Sequence, residues 1–230
     1  MSLTCVSAYF SIKSKQNHDI YKDWFKNTLA INCPYVFFTN DVDFIKGFRK
    51  DLPTFYIECK IDDFYTYKYK DKILTHEIHC PSVELNMIWN EKIFMIKKAK
   101  DINPFNSSWF YWIDAGICVY RNSPPPIRPF PEMGKLRLIP KDKFIYSQSE
   151  PYNEGLVDIA NYYHHVSGTY LLHKNIIDSF TELYEEYLEK LMGLTNIWTD
   201  QVILTHIYKD KPEMFYKLCD GYGEICHYLY

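Results

Sequence analysis

The sequence predicts an α/β domain with a mostly parallel central sheet flanked by helices, and three observations carry that prediction. Strand-like apolar runs alternate with amphipathic, helix-like segments from Thr4 to Cys59, the order that a parallel sheet with right-handed crossovers requires. The run Ser108-Trp109-Phe110-Tyr111-Trp112-Ile113 is apolar without alternation, as in a strand buried on both faces of such a sheet. It closes on Asp114-Ala115-Gly116, one carboxylate followed by two residues of minimal side chain. A chain of 230 residues with 47% hydrophobic content suits one large domain with a full core, so a single domain over 1–230 is expected.

The elements follow in order. Residues 4–12 form a first strand, and 18–31 an amphipathic helix. A short second strand covers 35–38 and ends in Thr39-Asn40. A helix-like 42–49 leads to a third strand over 54–59. Residues 61–81 are polar, tyrosine-rich and aperiodic, an irregular excursion over the surface. A strong helix over 84–100 leads into the strand that ends at Asp114. The patch Ser123-Pro124-Pro125-Pro126, with Pro129 and Pro131, is neither helix nor central strand and reads as a rigid surface loop. Strands resume over 136–139, 144–147 and 166–172. Apolar residues at 176, 177, 180, 183, 184, 187, 188 and 191 mark one helical face, and a last helix covers 199–208.

Composition excludes several classes. A net charge of −3 offers no general electrostatic footprint for nucleic acid. Residues 1–10 lack the basic flank and long apolar core of a signal peptide. No run of eighteen apolar residues occurs, so no transmembrane segment is expected. Seven cysteines, an odd number without repeated spacing, read as reduced thiols of a cytoplasmic protein. The chain has no Gly-x-Gly-x-x-Gly, Walker loop, Gly-x-Ser-x-Gly or paired Cys-x-x-Cys. Dinucleotide oxidoreduction, P-loop hydrolysis and serine hydrolase chemistry therefore lose their usual support.

Open α/β sheets bind ligands beyond the carboxyl ends of their strands, which is where Asp114 stands. A buried carboxylate needs a partner, and a divalent metal is one of few that repay its desolvation. Alternatively, Asp114 caps its own turn. Lys92 falls inside the stripe of Leu85, Ile88, Trp89, Ile96 and Ala99. It is either a snorkelling or acid-paired lysine, or an ammonium aimed at a phosphate or carboxylate. Asp200-Gln201 opens a helix, where the pair either satisfies free N–H groups or faces a hydroxylated ligand. In Ser167-Gly168-Thr169 the glycine permits close approach of a ligand or backbone, or marks a bulge. His76, His79 and Cys80 lack the second matching pair of a zinc site. Arg121 and Arg128 flank the proline patch, as phosphate contacts or solvated side chains.

The sequence Phe110-Tyr111-Trp112-Ile113-Asp114-Ala115-Gly116, together with Asn90-Glu91-Lys92, Ser167-Gly168-Thr169-Tyr170-Leu171-Leu172 and Thr199-Asp200-Gln201-Val202, resembles the HtrL/YibB-like proteins. Val6-Ser7-Ala8-Tyr9-Phe10 and Tyr35-Val36-Phe37-Phe38-Thr39-Asn40 fit the same pattern, and the resemblance runs from about residue 4 to 230. It implies a GT-A-type, Rossmann-like glycosyltransferase. Such an enzyme moves a sugar from a nucleotide-sugar donor to a glycan or other hydroxyl acceptor, in surface glycan or polysaccharide synthesis. On that resemblance, Ala8, Tyr9, Phe10, Thr39 and Asn40 hold the base and ribose of a UDP- or GDP-sugar, with Asp114 and Gly116 beside the diphosphate. Asp114 binds Mn²⁺ or Mg²⁺, Lys92 adds charge near the leaving group, and Asp200 with Gln201 faces the acceptor. The Asp-x-Asp motif of GT-A enzymes is here a single carboxylate. In several GT-A families a C-terminal histidine completes the metal shell, which points to His227, with Glu224 a weaker substitute; Gly221 and Gly223 let the tail fold back. The reaction would run in the cytoplasm, free or at the cytosolic face of a membrane or a viral factory. Two alternatives are a sugar nucleotidyltransferase and a non-catalytic glycan-binding protein on a decayed transferase fold. The first lacks its usual glycine-rich loop, since 11–15 contain no glycine; the second would use the abundant Tyr and Trp for stacking.

Overall fold

The computed structural model describes residues 2–158, 161–194 and 199–230. Among the described residues the chain runs β1 (Leu3–Tyr9), α1 (His18–Thr28), β2 (Tyr35–Thr39), α2 (Val42–Lys46), β3 (Thr54–Glu58), α3 (Val83–Ile102) and β4 (Trp109–Trp112). It continues through α4 (Met133–Arg137), β5 (Phe144–Gln148), β6 (Val166–His173), α5 (Ile177–Leu194), α6 (Asp200–Asp210), β7 (Phe215–Asp220) and α7 (Ile225–Leu229). The strands form one sheet in the order β3-β2-β1-β4-β6-β5-β7. Strands β3, β2, β1 and β4 pair in parallel, as do β5 and β7. Only β6 opposes its neighbours, β4 and β5, so the sheet is mostly parallel as expected.

Alternation along the central strands builds a core on each face. Phe110 and Trp112 pack with Val6 and Phe38 against Ile96 of α3, Leu188 of α5 and Ile203 of α6. Trp109 and Tyr111 turn the other way, to Cys5, Phe37, Phe25 of α1 and Leu229 of α7. The chain leaves β1 on one side, toward β2 and β3, and returns through α3 to β4 on the other side. The carboxyl ends of β1 and β4 thus flank the point where strand order reverses, the place where open α/β sheets bind ligands.

Three expectations differ from the structure. Residues 136–139 are not a strand: α4 covers Met133–Arg137. Leu136 and Ile139 are buried while Leu138 is 79% exposed, a spacing of three that a two-residue strand period cannot produce. Residues 61–81 carry short 3₁₀ turns over Ile61–Asp63 and Tyr65–Lys72. The buried Glu91 carboxylate holds the second turn by accepting from the Tyr65 and Thr66 amides and the Thr66 hydroxyl. Strand β7 and helix α7 were not expected. Among the described residues no helix is long and apolar enough to cross a membrane.

Candidate active site

Helix α3 starts where the Ser82 hydroxyl accepts from the Leu85 amide at 3.2 Å, and it lies across the sheet with Lys92 facing inward. The Lys92 ammonium is 2% exposed and stands 3.3 Å from Asp114 Oδ1 and 3.5 Å from Asp200 Oδ2. It also donates to the Gly168 carbonyl at 3.0 Å. A Cβ at 168 would lie 3.0 Å from Lys92 Nζ, so a side chain there would press on the ammonium. Strand β6 sets three residues, Ser167 to Thr169, against the single Ser147 of β5, so the glycine marks a bulge whose carbonyl meets a side chain.

Asp114 follows β4 and takes two further donors, Trp112 Nε1 at 2.8 Å and the Tyr222 hydroxyl. Tyr222 arrives from a tail turned by Gly221 and Gly223, whose φ angles of +99° and +83° favour glycine. Burial pushes the Asp114 pKa up, but Lys92, Tyr222 and Trp112 outweigh it and hold the carboxyl below its ordinary value. Asp200, 1% exposed at the start of α6, goes the other way. Burial lifts it to about 6 despite the attraction of Lys92. Burial alone would lower the Lys92 pKa, yet its two carboxylates keep it raised. The trio is thus a charged lysine between one firmly ionised carboxylate and one that titrates near neutrality.

A cavity of about 540 Å³ opens over this trio, at the ends of β1 and β4. Ala8, Tyr9, Phe10, Lys92, Asp114, Gly116 and Gln201 line it, as do Arg121 and Tyr222. Thr39 and Asn40 do not line it. Asn40 Oδ1 instead accepts from the Ser11 amide at 3.2 Å, holding the loop that follows β1. Gly116 has less free space than its small size suggests, since a Cβ there would meet Tyr21 at 3.0 Å and Trp24 at 3.2 Å. Asp200 sits behind Lys92 and not on the cavity wall, while the Gln201 amide donates to the Val166 carbonyl at 3.3 Å. Tyr222, absent from the sequence expectations, is the residue that the tail glycines deliver; their pairing in Gly-Tyr-Gly was its one local signal.

The donors at Asp114 do not suit a divalent cation. An ammonium and two hydrogen-bond donors already occupy about three of the four lone-pair positions of a carboxylate. Among the described residues no three His, Cys, Asp or Glu side chains converge as metal ligands. His227 does not reach the cavity wall: its Nδ1 lies 2.9 Å from Glu224 Oε2, and its ring meets Tyr120 edge-on. The expected metal pair of Asp114 and His227 is therefore not assembled, because the fold-back delivers Tyr222 to Asp114 while His227 lies on α7. His79 and His164 do line the cavity, but among the described residues no third ligand joins them.

No curated protein matches the sequence. Solved structures do resemble the fold. Mouse xyloside xylosyltransferase 1, in its apo form, gives a TM-score of 0.56 at 12% identity, covering 95% of this chain and 85% of that one. The galactosyltransferase LgtC, in complex with donor and acceptor sugar analogues, gives 0.54 at 10% identity, covering 89% and 70%. An active-site mutant of LgtC gives 0.53 at 9% identity, covering 95% and 72%. At these identities the likeness is one of fold, and the fold is that of GT-A glycosyltransferases. A family model described as "Bacterial protein of unknown function (HtrL_YibB)" matches residues 44–225, most of the chain, and on that match the chain belongs to the HtrL/YibB family.

Proposed function

We propose that this protein is a glycosyltransferase that moves a sugar from a UDP- or GDP-sugar to a hydroxyl acceptor. The observation that carries the reading is the position of the cavity: it lies at the carboxyl ends of β1 and β4, where strand order reverses, and its 540 Å³ can accept a nucleotide sugar. Ala8, Tyr9 and Phe10 would bind the base and ribose, with Thr39 and Asn40 supporting them from behind. In the transfer, the bond between the anomeric carbon and the diphosphate oxygen breaks as the acceptor oxygen bonds that carbon. The acceptor's proton passes to the departing diphosphate. Charge grows on the diphosphate during this step, and Lys92 stabilises it electrostatically. Gln201 orients the acceptor from the cavity wall, and Asp200 acts through Lys92 as a positioning residue. The Mn²⁺ or Mg²⁺ that the resemblance implies enters no step, because the donor set at Asp114 does not suit it.

We place the reaction in surface glycan or polysaccharide synthesis on the cytosolic side, where the seven free thiols stay reduced. A thermal-shift panel of nucleotide sugars, followed by a donor-hydrolysis assay, tests the activity. One UDP- or GDP-sugar at about 100 times its Kd should stabilise the fold by roughly 2.7 kcal/mol and be slowly hydrolysed. A flat response to every nucleotide sugar, with NAD or ATP shifting the melt instead, would refute the transferase reading. Glycan binding with no hydrolysis of any donor would favour the non-catalytic alternative.

A further inference from the structure

A nucleotide-sugar donor brings two phosphates into the cavity, and their charge must be met as the sugar leaves. The carboxylate expected to hold a metal for this purpose is already engaged with Lys92. Two other cations face the same cavity. Arg121 follows the turn after Asp114. Its Nε donates to the Gly116 carbonyl at 2.9 Å, and its guanidinium stacks 3.8 Å from the Trp24 ring. That pair of contacts fixes the plane of the group and leaves both terminal nitrogens without a protein acceptor among the described residues. A planar fork held in this way matches the oxygens of a phosphate.

Lys15 lies on the loop after β1, its ammonium 4.8 Å from the centre of the Trp89 ring. Among the described residues it has no carboxylate within ion-pair distance. Partial burial lowers its pKa, and Lys92 and Arg121 push it down further while Asp114 pulls it up, so the three cations and Asp114 share one field. Glu150, the other carboxylate on the wall, acts on His164. Two unpaired cations and a buried lysine that repel one another across a cavity are relieved by an anion placed between them. No residue of the loop over 11–15 has a positive φ, so its amides form no αR–αL nest for a phosphate, which leaves that role to charged side chains.

Building on the donor-site reading above, we propose that Lys15 and Arg121, backed by Lys92, clamp the donor diphosphate and take the place of a divalent cation. Calorimetric titration of UDP, UMP and uridine, with the guanosine series in parallel, tests this in EDTA and again with Mn²⁺ or Mg²⁺. The preferred nucleoside diphosphate should bind in EDTA within about threefold of its metal-supplemented affinity. Lys15→Met and Arg121→Gln should each weaken the diphosphate about tenfold or more and leave the nucleoside within about twofold. Melting curves check folding. Lys15→Met changes an exposed loop residue, so it keeps the test decisive if loss of the Trp24 stack unfolds Arg121→Gln. Diphosphate binding that requires added metal, or an unchanged ratio of diphosphate to nucleoside affinity in Lys15→Met, would overturn the clamp while leaving the transferase reading intact. Failure of every nucleoside diphosphate to bind, with and without metal, would overturn both.

Discussion

Lys92 stands between the buried Asp200 and Asp114, whose side chain is 26% exposed to the cavity, and its removal leaves two like charges facing each other, one of them buried. Breaking a buried ion pair by deleting one partner costs about 3–5 kcal/mol. Lys92→Met should therefore destabilise strongly at pH 7.5, and Asp200→Asn should restore part of the loss. The loss should also shrink at pH 5: without the ammonium both carboxyls bind protons more tightly when folded than when unfolded, so acid favours the folded variant. Urea denaturation at the two pH values measures this, and a variant as stable as the wild type would assign Lys92 to the surface of the cavity alone. Asp200 supplies a second test at this scale. Its folded pKa, about 6, exceeds the ordinary 3.8, so the ionised group opposes folding above that range. The rise corresponds to roughly 3 kcal/mol. Relative to the wild type, Asp200→Asn should gain stability as pH climbs from 4 to 7; parallel stability profiles would contradict the raised value.

Among the elements, the turn between β7 and α7 positions Tyr222 on Asp114 through two left-handed residues. Alanine in that conformation costs about 1–2 kcal/mol, and at 223 its Cβ would also press to 3.0 Å on Ile117 Cδ1. Gly223→Ala should therefore lower the melting temperature more than Tyr222→Phe, which removes one hydrogen bond and keeps the ring. The reverse order would mean that the hydroxyl, not the turn, holds the tail. These elements also show what can be read from a chain alone. The strand over 109–112 is visible because a strand buried on both faces must be apolar throughout, and Lys92 is visible because it breaks an apolar stripe. Its meeting with Asp200, which follows 108 positions later, has no local signature. The tail was legible as a fold-back through its glycines, but which side chain it delivered was not. Phe215–Asp220 carries no strand signal because an edge strand paired, among the described residues, with β5 alone can keep exposed residues on both faces and needs no alternation.

At the scale of the whole molecule, the cavity draws on the end of β1, the middle of α3, the end of β4, the start of α6 and the turn after β7. A ligand bound there touches chain from Ala8 to Tyr222 and should stabilise the fold as one cooperative unit. Strand β7 is the sensitive part, lying at the sheet edge with much of its surface exposed. Among the contacts that tie its tail to the centre are Tyr222 on Asp114, and α7, where the Cys226 thiol meets the Tyr111 hydroxyl of β4 at 3.2 Å. If those links couple the edge to the site, nucleoside diphosphate at about 100 times its Kd should slow amide exchange in β7 as well as in β4. The slowing in each approaches the roughly 2.7 kcal/mol of the binding linkage wherever exchange requires global opening. Tyr222→Phe should weaken the protection of β7 more than that of β4, because the Cys226–Tyr111 contact and the ladder to β5 remain. Protection of β4 with β7 unchanged in the wild type would show instead that the tail opens independently of the site. Among the described residues Asp114 would then keep Trp112 and Lys92 as lasting partners, and the cavity would have a movable wall at Tyr222.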